Sequence, residues 1–209
     1  MRLPTRPRAI FDCEVYRDYF LVCFQSLATG KKKHFEMYEG HPLDRECIKR
    51  ILRHHTVVGF NSGTFDVQII RLALRVGSDT TILKRLCDDI IVRQMRPWDA
   101  EKKYNLPDIP FLDHIDLIEP SPSVQVGLKL YGGRLNSKRL QDLPLNPSVN
   151  IFDFGSEVRE TMIDYCYNDC ETTANLYRHI EKQIELREQM SEQYGLDLRS
   201  KSDAQIAEA

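Results

Sequence analysis

The chain has 209 residues, 42% of them hydrophobic and 29% charged, and its formal net charge is -2. These values are typical of one globular domain with a substantial core, and they exclude a generally basic nucleic-acid coat. No apolar run reaches the roughly 20 residues that span a bilayer, so we predict no membrane partner.

The cysteines are scattered and form no C-x-x-C pair, which predicts reduced, mostly buried thiols in a cytoplasmic protein. Cys166 and Cys170 lie one helical turn apart but lack a second pair of ligands, so we predict no zinc site. Residues 1–8 are basic and proline-rich, without the apolar segment of a signal peptide.

The first third of the chain predicts a sheet and two helices. Three strand-like runs favour antiparallel pairing, at residues 9–16, 19–24 and 34–38. The lysines between the second and third runs predict a solvated hairpin tip. The next predicted elements are a helix, a short buried strand and a second helix, at residues 43–52, 56–60 and 66–77.

The remaining chain predicts helices with one further strand. We expect in order a helix, a loop, a strand, a short helix and an irregular segment, over 80–93, 96–110, 111–117, 124–131 and 134–150. A long helix with a break, from about Ser156 to Gln193, completes an α/β fold with a mixed β-sheet flanked by α-helices. We assign residues 1–194 to one domain and expect 195–209 to be a C-terminal tail or linker, truncated from a longer chain.

Two acidic residues on the first strand, Asp12 and Glu14, share one face with Ile10 and Tyr16. They lie about 7 Å apart, because a strand rises about 3.3 Å per residue. Like charges this close repel and raise each other's pKa. The pair therefore predicts either a bound divalent cation or a solvated edge strand, and this pattern alone favours the solvated edge.

Other candidate residues also have ordinary structural explanations when each is taken alone. Asp66 opens a helix, where the helix dipole favours an acid, but it also follows a strand end, where α/β proteins place functional groups. Tyr165 and Asp169 are spaced i, i+4 and share one helix face. Three histidines are interpreted as structural or surface groups, namely His54, His55 and His114.

Three patterns occur in one order: Asp12-x-Glu14, Asn61-x-x-x-Phe65-Asp66 and Tyr165-x-x-x-Asp169. The series resembles the three motifs of the DnaQ-like (DEDD) 3′-5′ exonucleases of the tyrosine subclass, over about residues 8–185. Its spacing is similar to that of the proofreading domain of phage-type family B DNA polymerases. The resemblance implies a ribonuclease H-like fold in a bacterial or phage-infected cell. It also implies hydrolysis of single-stranded DNA from the 3′ end to nucleoside monophosphates, with a polymerase domain in the parent chain.

The resemblance also implies a role for each motif residue. Four carboxylates would bind metal, namely Asp12, Glu14, Asp66 and Asp169. Tyr165 would orient the attacking water, and Asn61 and Phe65 would contact the 3′-terminal nucleotides. Where the family carries a Ser/Thr-Leu pair that binds single-stranded DNA, this chain has Gly127-Leu128, so the hydroxyl of that contact is missing.

The chemistry agrees with these roles independently of the resemblance. Phosphodiester hydrolysis places charge on the attacking and leaving oxygens, and two hard cations roughly 3.5–4 Å apart stabilise both. Four acids without clustered His or Cys ligands suit two Mg²⁺ or Mn²⁺ ions better than zinc. A tyrosine with a pKa near 10 is better placed to hold a water than to act as an anionic base at neutral pH.

Four basic residues between the second and third motifs are candidates for phosphate contacts, namely Lys129, Arg134, Lys138 and Arg139. For each of them an ordinary solvated surface is an equally good reading. Tyr131 would stack on a base or pack in the core, and packing is slightly favoured. Two other functions stay open: an RNA-trimming exonuclease like ribonuclease D, and a non-catalytic nucleic-acid-binding module.

Overall fold

The computed structural model describes residues 5–122, 126–137, 139–155 and 157–209. Its strands are β1 Arg8–Val15, β2 Tyr19–Ser26, β3 Lys32–Tyr38, β4 Thr56–Gly59 and β5 Asp113–Asp116. Its α-helices are α1 Arg45–His54, α2 Asp66–Val76, α3 Thr80–Ile91, α4 Pro97–Tyr104, α5 Leu128–Arg134, α6 Val158–His179, α7 Glu181–Tyr194 and α8 Asp203–Ala207. A 3-10 helix covers Ile151–Phe154. Within these ranges no helix combines the length and the apolar character needed to cross a bilayer.

The strands form one mixed sheet in the order β3-β2-β1-β4-β5. β1 and β2, and likewise β2 and β3, are antiparallel, whereas β1 and β4, and likewise β4 and β5, are parallel. β1 is therefore the central strand. The pattern of Asp12 and Glu14 taken alone favoured a solvated edge strand. That prediction is wrong, because both residues lie half-buried in the middle of the sheet.

Helices cover both faces of the sheet, and the alternation predicted for β1 is confirmed. Phe11, Cys13 and Val15 join a core cluster that includes side chains of α1, α2 and α3. Ile10 and Tyr16 join a second cluster, formed with α5, α6 and α7. Burial of apolar side chains on both faces is the main force that holds the layers together. The fold is thus α/β, with a five-stranded mixed sheet flanked by helices.

Two predicted elements need correction. The expected loop over 96–110 contains α4, which begins at Pro97, because proline fits the first turn of a helix, where no intrahelical N–H bond is lost. The short helix expected over 124–131 begins at Leu128 and continues through both glycines to Arg134. A Cβ at Gly132 would lie 3.3 Å from Thr172 of α6, so close helix packing explains a glycine there. Residues 124 and 125 lie outside the described ranges.

The last segment, 195–209, packs against the domain near β5. Arg199 is buried and its guanidinium contacts Asp113 of β5 at 2.7 Å. Arg187 of α7 contacts Asp203 at 2.6 Å. The backbone N–H of Asp116 donates to Ser200 Oγ at 2.9 Å. These contacts attach the segment that was expected to be a tail or linker to the edge strand.

Candidate metal centre

Three carboxylates meet where α6 packs across β1. One oxygen from each of Asp12, Glu14 and Asp169 lies within 4.8 Å of the other two. Asp12 and Glu14 point to this face because they alternate with the core residues Phe11 and Cys13. All three carboxylates are only partly accessible to solvent. Oxygen ligands at this separation suit a hard divalent cation.

Asp66 lies beside this trio without belonging to it. It is the first residue of α2, it is 4% exposed, and its Oδ1 accepts a hydrogen bond from the Cys13 backbone N–H at 2.9 Å. Its charge nevertheless raises the pKa of Asp12 and of Glu14. The structure therefore brings the acids of all three sequence patterns into one region.

The electrostatics of this region disfavour four bare carboxylates. Burial is the largest cause of the raised pKa of Asp12, followed by the charges of Asp66, Glu14 and Asp169. Burial likewise raises the pKa of Glu14, followed by Asp169 and Asp66. Burial raises the pKa of Asp66 to about 7, although its backbone hydrogen bonds oppose the rise. Such a cluster favours the uptake of protons or of a cation.

Tyr165 and Lys129 both act on Asp169. Tyr165 is buried, and its pKa is raised by burial first and then by the charges of Asp169 and Glu14. Its hydroxyl therefore stays protonated at neutral pH and can donate a hydrogen bond. Burial also raises the pKa of Asp169, while interaction with Tyr165 and the charge of Lys129 oppose that rise. Lys129 is exposed and also contacts Asp142 at 2.6 Å.

The turn between β4 and α2 carries the two residues expected at the 3′ end. Asn61 is exposed and has a φ of 55°, in the left-handed region. Phe65 is half-buried and packs on the first core cluster. This turn leads directly into Asp66, so its conformation also sets where α2 begins.

The other candidate substrate contacts occupy α5 and the segment after it. Leu128 packs partly buried on the second core cluster. Arg134 and Arg139 are exposed, and Lys138 lies outside the described residues. Tyr131 is buried, and its hydroxyl donates to the Pro122 carbonyl at 3.1 Å, so it packs as favoured.

Two residues near the acids were not predicted from the sequence to take part in the site. Cys166 is fully buried, and its thiol lies 3.6 Å from Asp12 Oδ2. Burial raises the pKa of that thiol, so it remains a neutral donor. Asp116 ends β5, and its charge contributes to the raised pKa of Asp66. The sequence contained one signal for each residue: Cys166 directly follows Tyr165, and Asp116 is an acid at the end of a strand.

We compared the chain with known proteins. No match was found among protein-family models, curated proteins or solved structures.

Proposed function

We propose that this domain is a metal-dependent 3′-5′ exonuclease with a ribonuclease H-like fold, which hydrolyses single-stranded DNA from its 3′ end. The observation that carries the proposal is the close trio Asp12, Glu14 and Asp169, with Asp66 and Tyr165 beside it. These five residues are also the ones that the sequence resemblance selects. The proposal includes a parent chain with a polymerase domain. The exonuclease would proofread the DNA that this polymerase synthesises.

The donor set fits two Mg²⁺ or Mn²⁺ ions. The trio offers only carboxylate oxygens, and these are the ligands that hard cations prefer. Asp66 would complete the set from α2. When bound, the two ions would stabilise charge on the attacking and leaving oxygens of the phosphodiester. The raised pKa of Asp12 and of Glu14 supports this assignment, because a bound cation offsets both the burial and the mutual repulsion that raise it.

The remaining residues would bind and orient the substrate. Tyr165 keeps its proton, so its hydroxyl would donate a hydrogen bond that holds the attacking water in line with the phosphate. Asn61 is exposed in the turn that leads into Asp66 and would contact the terminal nucleotide together with Phe65. Lys129 is exposed close to Asp169 and would attract the backbone phosphates.

The test is degradation of an end-labelled single-stranded DNA oligonucleotide with Mg²⁺, with Mn²⁺ and with excess chelator. We expect nucleoside monophosphates released from the 3′ end only when a divalent ion is present. A strand blocked at its 3′ end should resist. An RNA oligonucleotide of the same sequence, run in parallel, distinguishes a ribonuclease D-like activity. Full degradation in chelator, or of the blocked strand, would refute the proposal, and binding without cleavage would favour a non-catalytic module.

A further inference from the structure

We propose that Asp116, together with His114, is a positioning residue that holds the turn of residues 61–63 in the conformation needed to receive a 3′-terminal nucleotide. This inference rests on the proposed function of the same site. The two side chains belong to alternate positions of β5 and therefore point to the same side of that strand. Neither residue belongs to the sequence patterns described above.

β5 places both side chains beside the turn. β5 runs parallel to β4, with Asp116 opposite Gly59, and the Leu117 N–H donates to the Gly59 carbonyl at 2.9 Å. The ends of the two strands therefore lie side by side. The turn that leaves β4 crosses directly over the end of β5.

The Asp116 carboxylate binds the backbone of the turn. Its Oδ2 accepts a hydrogen bond from the Gly63 N–H at 2.8 Å, and the Asn61 N–H faces the same carboxylate. Its Oδ1 accepts from the Ile118 N–H at 3.1 Å. Asp116 is 9% exposed, so these bonds are largely protected from water. Because both oxygens are engaged by amides, the residue acts on the turn and is not one of the metal ligands.

His114 holds the middle of the same turn. Its Nε2 and Ser62 Oγ share a hydrogen bond of 2.8 Å, and Ser62 is fully buried. A Cβ added at Gly59 would overlap Ser62, so the turn is pressed tightly against the end of β4. His114 and Asp116 thus hold two consecutive residues of the turn, Ser62 and Gly63, from two positions on one strand.

Asn61 takes the left-handed conformation within this turn. Its φ of 55° is one that asparagine adopts more readily than other residues with a Cβ, although it is less populated than the right-handed and extended regions. Without the bonds that Asp116 and His114 make to Gly63 and Ser62, the turn would populate other conformations, and Asn61 would no longer be held in the one that leads into Asp66. The trio of Asp12, Glu14 and Asp169 is carried by β1 and α6 and would stay in place.

The experiment compares Asp116→Ala, Asp116→Asn and a control, Asp113→Asn. Asp113 lies on the same strand but contacts Arg199 and Thr56, away from the turn. KM and kcat for a single-stranded DNA oligonucleotide are measured with Mn²⁺, and Mn²⁺ affinity is measured by calorimetry. We expect Asp116→Ala to raise KM about tenfold or more while Mn²⁺ affinity stays within about threefold, because unpaired amides of the turn no longer hold Asn61. Asp116→Asn keeps an acceptor and should be intermediate, and Asp113→Asn should retain the parent KM.

Hydrogen exchange at the amides of Asn61 and Gly63 gives a readout that does not depend on activity. We expect it to accelerate about tenfold or more in Asp116→Ala and to stay unchanged in Asp113→Asn. If the parent protein cleaves nothing, the proposed function fails, and unchanged exchange separately overturns the positioning role. A parent-like KM, or a loss of Mn²⁺ affinity that accompanies the rise in KM, would also overturn it. If Asp116→Ala does not fold, the same comparison is made with Asp116→Asn.

Discussion

The stability of the metal-free protein should fall as the pH rises, and the contribution of Asp66 can be worked out. Burial raises the pKa of Asp66 from 3.8 to about 7. The native state therefore holds a proton that the unfolded chain has already lost between these two pKa values. Stability from this proton is fully present below the unfolded pKa and is lost as the pH rises through the folded pKa.

The magnitude follows from the same values. A pKa unit corresponds to about 1.4 kcal/mol, so the total effect of Asp66 is roughly 4 kcal/mol, of which about 3 kcal/mol is lost between pH 5 and pH 8. In a domain of this length 1 kcal/mol changes Tm by roughly 2–4 °C, so Tm should fall by roughly 5–10 °C. The raised pKa values of Asp12 and Glu14 act in the same direction.

The assay is thermal unfolding followed by circular dichroism at several pH values with excess chelator. Asp66→Asn keeps an oxygen that can accept the Cys13 N–H, and it should reduce the dependence on pH, with the remainder due to Asp12 and Glu14. Asp153→Asn removes an exposed acid and is the matched control. In a separate sample without chelator, free Mn²⁺ at about 100 times its Kd should restore roughly 2.7 kcal/mol at pH 8. A Tm of the parent protein that is constant or rises between pH 5 and pH 8 would refute the reasoning.

Three further results are expected. Asp12→Ala combined with Glu14→Ala should abolish oligonucleotide cleavage. The Tm in chelator should equal or exceed that of the parent protein, because repelling charges are removed. A lost unfolding transition would mean that these acids are structural. Tyr165→Phe should lower the cleavage rate by about 10²–10³ and retain Mn²⁺ affinity, whereas Asp169→Ala should lose both cleavage and Mn²⁺ affinity. A parent-like rate in Tyr165→Phe at several pH values would remove the tyrosine from the mechanism. Lys129→Ala should reduce the slope of log affinity against log salt by about 0.7, and an unchanged slope would make this lysine an ordinary surface residue.

Local patterns predicted much of the fold. Alternation in β1 assigned Phe11 and Cys13 to one face and Asp12 and Glu14 to the other, because a strand has a fixed period of two. The break in the long C-terminal helix is also present, at Ile180 between α6 and α7. These features depend on neighbours along the chain, and a single sequence contains that information.

Long-range pairing was not predictable in the same way. The position of β1 in the centre of the sheet depends on β4, whose partner cannot be recognised from its own residues. The hydrogen bond between Asp116 and Gly63 of the turn joins residues 53 positions apart. That β5 supports the turn can be recognised only once the pairing of β4 with β5 is known.

The central position of β1 has a consequence for how this chain tolerates change. Successive residues of the strand serve opposite sides of the sheet, with Phe11 and Cys13 on one side and the two acids on the other. Inserting or deleting one residue before Phe11 would exchange these sides for the rest of the strand. Both acids would enter an apolar core while a phenyl ring and a thiol took their places. Conservative substitutions at Phe11 or Cys13 are therefore far less damaging than a change of length, and a deletion scan should find β1 intolerant along its whole length.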